Sequence, residues 1–381
     1  MADPIVVWQL TRREFTAVLL IILFATAMRL YGLGARPLLW QDELGLWEYI
    51  LTGDASWMPQ EAPLYSRLQF IWMWWIQTPT ANTMRLLSVA FGVLGVFAAF
   101  ILGRLIGGVR VGLLAAVLLS ISPMALGLAH EVRPYTLFIL ASAMLLSCFL
   151  AAWERNTPRA WLGYGLALTT ALLTHLLAAQ LCVALGMAAA AAIWLERHRP
   201  QIMVRFLSFA VTSVVFGLLG AAWVGFHHSR RAFLTGPHTL GPLDFVQGSI
   251  TSLGGVVESQ IPVAVTLAVL ATVGLVVLAR RQPMHAILLS SVIVISCLIT
   301  YATMAEMSAW GWNAWQRYLS HLLIPYLVLI AIGALWLARA VARRFSGLPA
   351  SALAAAVTLV PILLVVPGTR HWLDSPNRHP D

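Results

Sequence analysis

Residues 161–195 read WLGYGLALTTALLTHLLAAQLCVALGMAAAAAIWL, thirty-five residues without one Asp, Glu, Lys or Arg. A helix crossing a bilayer needs about 20 apolar residues, so the run is too long for one crossing and slightly short for two. Arginine placement decides between them. Arg155 and Arg159 precede the run, and Arg197, Arg199 and Arg205 follow it. Arginines gather on the inner side of a membrane, so both clusters face one compartment only if the number of crossings between them is even. The run therefore predicts two short spans with a turn near His175 to Gln180.

The rest of the chain has the same character. Of its 381 residues, 60% are hydrophobic and 10% charged. A soluble core cannot absorb that much apolar sequence, and disorder, coiled coil and a secreted disulfide scaffold are excluded with it. Nine further apolar runs, at 15–33, 83–105, 111–128, 135–153, 206–224, 261–278, 285–304, 318–337 and 350–366, are long enough to cross. With two spans in 161–195, the expectation is an all-α integral membrane protein of about eleven transmembrane helices, with the N-terminus inside and the C-terminus outside. Arg12 and Arg13 precede the first run and no small-residue cleavage site follows it, so it reads as a retained span and not a signal peptide.

All 24 basic residues are arginine, and the net charge is +9. On the eleven-span topology, Arg12, Arg13, Arg104, Arg110, Arg155, Arg159, Arg197, Arg199, Arg205, Arg280, Arg281, Arg339, Arg343 and Arg344 fall on the inner side. This is a topology signal and not a nucleic-acid-binding stripe. Asp42, Glu43, Glu48, Asp54, Glu61, Glu131, Asp244, Glu258 and Glu306 fall on or near the outer side, which points to chemistry at the outer face. Cys148, Cys182 and Cys297 sit within apolar runs and read as small buried hydrophobes.

The chain reads as one polytopic domain, 1–381, in two halves. Residues 1–155 carry the motifs and the long outer segment 34–82; residues 156–367 are a helical half with a second outer segment, 225–260; residues 368–381 form a short outer tail. Segment 34–82 contains LQFIWMWWI at 68–76, too short to span and rich in tryptophan, as expected of a helix lying in the interface. A second interfacial turn is expected at 42–51, where Leu44, Leu46, Trp47, Ile50 and Leu51 can cover one face.

Within this frame a few polar residues stand out. Trp40-Gln41-Asp42-Glu43 places two carboxylates at the outer mouth of the bundle, where one could act as a base; equally they are a solvated helix start. Adjacent helical residues diverge by about 100°, so both cannot face one reacting atom, and one of the pair is structural. His130-Glu131-Val132-Arg133-Pro134-Tyr135 links two spans, with Pro134 suited to a first helical turn; Glu131 and Arg133 are either a site or an ion pair that seats the turn. Arg317-Tyr318 opens a late span at headgroup depth, where a guanidinium suits phosphate or simply snorkels. Arg29 and Arg85 read first as interfacial anchors. His227, His228, Arg230, Arg231 and His238 in the second outer segment have no zinc-like spacing, so no metal and no cofactor is read.

Taken in order, Trp-Gln-Asp-Glu at 40–43, Glu61-Ala62-Pro63-Leu64-Tyr65 before the aromatic interfacial helix, Met84-Arg85-Leu86-Leu87-Ser88 opening the second span and the 130–135 motif resemble the polytopic glycosyltransferases of the protein O-mannosyltransferase and aminoarabinose-transferase type, dependent on polyprenyl-phosphate sugars. The resemblance covers about residues 1–155 and the Arg317-Tyr318 entry. Members often have His-Pro-Pro before Leu-Tyr, where this chain has Glu61-Ala62-Pro63. The resemblance implies an inverting hexosyl- or pentosyltransferase moving sugar from a polyprenyl-phosphate carrier to a lipid, glycan or protein acceptor on the outer face. It implies Asp42, Glu43 and Glu131 as the catalytic carboxylates, with Asp42 the base. Arg133, Tyr135, Arg317, Tyr318, Arg85 and Tyr65 are the implied substrate and phosphate binders. Two other readings stay open: a surface-glycan polymerase or ligase using segment 225–260, and a lipid or sugar transporter. The bacterial inner membrane is the expected location.

Overall fold

A computed structural model describes residues 10–35, 39, 41–54, 58–59, 62–198, 200–228, 241–254, 260–304, 313–344 and 350–374. Among them regular structure is entirely helical. The first half contains α1 (Arg12–Leu30), α2 (Gln41–Thr52), α3 (Pro63–Ile76), α4 (Ala81–Gly107), α5 (Val109–Ile121), α6 (Pro123–Ala129) and α7 (Tyr135–Arg155). The second contains α8 (Pro158–Thr174), α9 (Ala178–Leu195), α10 (Ile202–His228), α11 (Pro242–Gly254), α12 (Ile261–Arg281), α13 (Pro283–Met304), α14 (Leu323–Arg344) and α15 (Ala350–Asp374). A 3₁₀ segment, Asn313–Leu322, leads into α14.

Local chemistry sets the boundaries. Thr11 with Glu14 closes a capping box on α1, and Thr80 with Thr83 does the same on α4, each satisfying amide groups that the first turn leaves open. Asn156 ends α7 in the left-handed conformation, and Thr157 with Pro158 restarts the chain as α8. The run 111–128 is bent by 59° between α5 and α6. Pro123 holds the preceding residue extended, so Ser122 leaves the helix and caps the next one, its Oγ accepting from Ala125 N–H.

The run 161–195 breaks into α8 and α9 at His175 to Leu177, inside the turn read from the arginines. Eight described helices are long and apolar enough to cross a membrane, or nine with α5 and α6 as one bent span. The expected count of eleven is not reached on these grounds. α8 has only 17 residues, and the 19 residues of α1 include Arg12, Arg13, Glu14 and Arg29. Both interfacial elements are helices: α2 covers 42–51, and α3 extends 68–76 back to Pro63, with Trp74 and Trp75 exposed. The short outer tail is corrected in part. Residues 368–374 continue α15, despite Pro361 and Pro367, and Thr369 is buried.

α14 is the centre of the bundle, buried on all sides from Leu323 to Ala334 and packed by α12, α15, α5 and α7. The helix ends sort into two groups. At one, Gly108, Arg281, Gln282 and Arg339 meet around a single cavity, and Arg205 donates to Trp153 O at 2.8 Å. At the other, the ends of α1, α2, α4 and α7 meet the 130–134 turn, the α8–α9 turn and the 3₁₀ segment.

Between helices already solvated by lipid, close packing is a main source of association, and small residues permit it. α12 and α14 use this at Gly274 and Gly333. A Cβ on Gly274 would collide with the Leu329 carbonyl, and one on Gly333 with the Leu270 carbonyl. Gly274→Val is expected to force the helices apart at a cost of about 1–3 kcal/mol or more, as for other overpacked interiors. Gly163→Ala, with no atom within 4 Å of the new Cβ, is the control and leaves stability unchanged or slightly raised. Reversible unfolding in mixed micelles measures both.

Candidate active site

Glu43 is the residue around which this end of the bundle is built. Its side chain is wholly buried, one carboxylate oxygen accepts from the Val132 amide, and the other lies 3.7 Å from Arg85 Nη2. A buried carboxylate is tolerable only with such partners. Glu43 thereby pins the start of α2 to both the 130–134 turn and the second turn of α4. Arg85, read from the sequence as an interfacial anchor, is 2% exposed and is half of this buried pair. Arg29 is corrected in the same way: it is fully buried, donating to Ala25 O and Leu119 O, each at 3.2 Å.

α3 is stapled onto α4 by two side-chain donors, Gln69 Nε2 to Met84 O and Trp72 Nε1 to Thr83 O, both at 2.8 Å. This brings Tyr65 into the site, its hydroxyl 2.8 Å from Ser88 Oγ. Burial pushes the Tyr65 phenol well above its ordinary pKa; the Ser88 hydrogen bond and Arg133 oppose this, and Glu43 and Glu131 add to it. Tyr65 is thus a neutral hydroxyl among charges.

The 130–135 motif and the 3₁₀ segment supply the remaining charges. Glu131 is buried, with Oε2 3.9 Å from Arg317 Nη1. The Arg133 guanidinium lies 5.8 Å from the centroid of the Tyr135 ring, within cation–π range. Tyr135 in turn meets Tyr318 edge-on at 6.3 Å. The sequence-predicted residues Glu43, Arg85, Tyr65, Glu131, Arg133, Tyr135, Arg317 and Tyr318 therefore converge. The Asp42 side chain lies outside the described residues, as do Glu61, the side chains of His227 and His228, and Arg230, Arg231 and His238.

Two residues join the site that the sequence did not single out. His175, in the α8–α9 turn, lies 5.7 Å from Tyr135, 6.2 Å from Tyr318 and 5.2 Å from Phe138, ring to ring. His321 also packs on Phe138, at 5.0 Å, and both its ring nitrogens are buried. Neither histidine stands in a motif: His175 follows Thr174 at the end of an apolar run, and His321 follows Ser320 in the segment NAWQRYLSHL. The only signal for His175 was its position at an outer turn, and His321 had only its place one helical turn after Arg317. Burial pushes His175 down to about 3, with Arg133 and His321 acting in the same direction. Its Nδ1 accepts from Leu177 N–H at 3.2 Å, which leaves the proton on Nε2. Among the described residues no group of three His, Cys, Asp or Glu side chains could hold a metal.

The site thus joins three arginines, buried carboxylates and a cluster of uncharged rings at one end of a helical bundle, and known folds share the frame of that bundle. ArnT from Cupriavidus metallidurans bound to undecaprenyl phosphate superposes with a TM-score of 0.58 at 17% identity, over 94% of this chain and 72% of that one. Its apo state gives 0.60 at 15%, over 95% and 72%. The archaeal oligosaccharyltransferase AglB from Archaeoglobus fulgidus, in complex with an inhibitory peptide and a dolichol-phosphate, gives 0.57 at 14%, over 96% and 56%. The chain has the fold of these membrane transferases. Residues 62–219 match the family model for dolichyl-phosphate-mannose-protein mannosyltransferase, a stretch that begins just before α3 and takes in Tyr65, Arg85, the 130–135 motif and His175. No curated protein matches by sequence.

Two outcomes follow from this geometry. Removing one partner of a buried ion pair costs about 3–5 kcal/mol, whereas replacing both by apolar groups can be neutral. Glu43→Ala is therefore expected to destabilise strongly and Glu43→Ala with Arg85→Met much less, as read in a double-mutant cycle of unfolding. His175 binds a proton more readily when unfolded than when folded, so its contribution is complete above about pH 6.5 and is lost as pH falls toward about 3, with a slope of at most about 1.4 kcal/mol per pH unit. His175→Asn flattens that acid limb of the stability profile; an unchanged limb shows that His175 is not buried as a neutral ring.

Proposed function

We propose that the protein is an inverting glycosyltransferase that moves a sugar from a polyprenyl-phosphate carrier to a lipid, glycan or protein acceptor at the outer face of a membrane. The observation that carries this reading is the convergence of Arg133 and Arg317 with Glu131 and a cluster of uncharged rings, on a fold shared with proteins solved in complex with undecaprenyl phosphate and a dolichol-phosphate. The grouping of arginines at the opposite helix ends supports the outer-face orientation. A bacterial inner membrane is the location we assign.

In this reaction the acceptor oxygen or nitrogen forms a bond to the anomeric carbon as the bond from that carbon to the carrier phosphate breaks. The acceptor's proton passes to a base, and the electron pair leaves on phosphate. A polyprenyl phosphate already carries charge near neutral pH, so the leaving group needs cations and not a general acid. Arg133 and Arg317 supply them, and Arg317 exchanges its long 3.9 Å contact with Glu131 for the phosphate. Asp42 is the base in this reading. The engagement of Glu43 with Arg85 and Val132 supports assigning Glu43 to positioning, and that leaves its neighbour for chemistry. Glu131 orients the acceptor. Tyr65 and Tyr318 border the site with neutral hydroxyls, and the rings of Tyr135, His175 and His321 suit an uncharged sugar beside the phosphate.

Release of free polyprenyl phosphate from a panel of polyprenyl-phosphate sugars, by the purified protein in lipid discs, tests the assignment. The wild type is expected to turn over one donor, and Asp42→Asn to lose about a hundredfold or more, in the range for a missing general base. Arg317→Ala loses a comparable factor while the fold is retained. Full activity of Asp42→Asn refutes the assignment of the base, and no turnover of any donor with membrane acceptors present refutes the transferase reading.

A further inference from the structure

The 130–134 turn presents Glu131 and Arg133 from one side only; its other side is held by residues that no part of the proposed reaction uses. His130 Nε2 lies 2.7 Å from the carbonyl oxygen of Arg29, one of the carbonyls that the end of α1 leaves without an intrahelical partner. An imidazole nitrogen meeting a carbonyl must donate, so the proton is on Nε2 and His130 caps α1. Arg29 is itself locked, with its guanidinium on Ala25 O and Leu119 O; a Cβ at Gly92 would lie 2.8 Å from its Nε, so α4 closes over it.

The third wall is the end of α15. Trp372 meets the His130 ring edge-on, with centroids 4.9 Å apart at 64°, and its indole Nε1 is buried. One turn earlier, Thr369 Oγ1 donates to Ile121 O at 2.6 Å, at the carbonyl end of α5 beside the bend into α6. A Cβ on Gly127 would lie 3.5 Å from Trp372 Nε1, so the indole lies directly against α6 as well. The far C-terminal part of the described chain is thus in contact with the residue adjoining Glu131.

We infer that Trp372, with Thr369, is a positioning residue: the end of α15 fixes the His130 ring, and through it the placement of Glu131, Val132 and Arg133. The inference rests on the transferase reading for what the turn does, but not for how the turn is held. An aromatic edge restricts a ring to one rotamer without competing for its hydrogen bonds. Freed of that edge, His130 can leave the Arg29 carbonyl, and the Val132 amide loses its fixed approach to Glu43. Misplacing reacting groups by about 1 Å can cost about a hundredfold in rate, so the effect belongs in turnover more than in donor binding.

The test compares Trp372→Leu, Trp372→Phe and Thr369→Val with the wild type in lipid discs, by amide hydrogen exchange of the peptide containing Val132 and by polyprenyl phosphate release. Trp372→Leu is expected to speed exchange at Val132 about tenfold and to lower kcat about tenfold or more, with KM for the donor changed by less than about threefold. Trp372→Phe, which keeps an aromatic edge, restores both. Unchanged exchange and kcat in Trp372→Leu overturn the inference. If Trp372→Leu does not fold, Thr369→Val decides: faster exchange confined to the 130–134 turn supports positioning, and exchange raised equally across all helices overturns it. A wild type inactive on every donor would sink the transferase reading, while the exchange measurements still judge the inference.

Discussion

Everything at the site end of this bundle depends on a carboxylate that has been taken out of water. An isolated charge there is prohibitively costly, and Glu43 is stable only because Arg85 lies on one oxygen and the Val132 amide on the other. One partner stands on α4 and the other in the 130–134 turn, so satisfying one carboxylate fixes three segments relative to one another. The short helix α2 then has no freedom to lie elsewhere, and α3, stapled to α4 through Gln69 and Trp72, closes the same corner. The exposed tryptophans of α3 face outward from this corner, consistent with an element lying in the interface.

The sequence revealed the frame of the fold because frame and sequence obey the same constraint. In lipid every backbone polar group must be satisfied within its own helix, so spans appear as uninterrupted apolar runs whose arginine flanks report parity. That is why the break at His175 to Leu177 could be located in a run with no charge to mark it. Runs weaken as evidence where a helix is short, as α8 is, or where charge enters its ends, as in α1.

Partners were far less legible than positions. Asp42 and Glu43 are adjacent, and the partners that engage Glu43, Arg85 and Val132, are both remote in sequence, Val132 by 89 residues. Arg29 and Arg85 stand at span ends, where an exposed anchor and a buried ion look alike in one dimension; their burial comes from Leu119 and Glu43, both remote in sequence. His175 and His321 belong to no motif, and what places them in the site is ring packing on Phe138, remote in sequence from both. Residues 368–374 followed a proline and read as tail, yet Thr369 finds Ile121 across 248 residues. The misses are therefore of one kind: long-range pairings that no local period encodes.

The 3₁₀ segment before α14 shows how one short element can serve charged and uncharged chemistry together. In a 3₁₀ helix residues three apart eclipse, so Arg317 shares a face with Ser320, and Tyr318 shares the adjoining face with His321. The contacts follow this division: Arg317 reaches Glu131, while Tyr318 and His321 turn to the rings of Tyr135, His175 and Phe138. In an α-helix the same pairs would be offset by about 60°, so the two faces would drift around the element instead of staying eclipsed. Runs of 3₁₀ beyond three or four residues are uncommon because their hydrogen bonds are poorer, and this one extends over ten residues. Glu131 holds one face of this segment and the ring cluster the other, so one short stretch of chain carries a guanidinium toward a carboxylate and aromatic groups toward the rings.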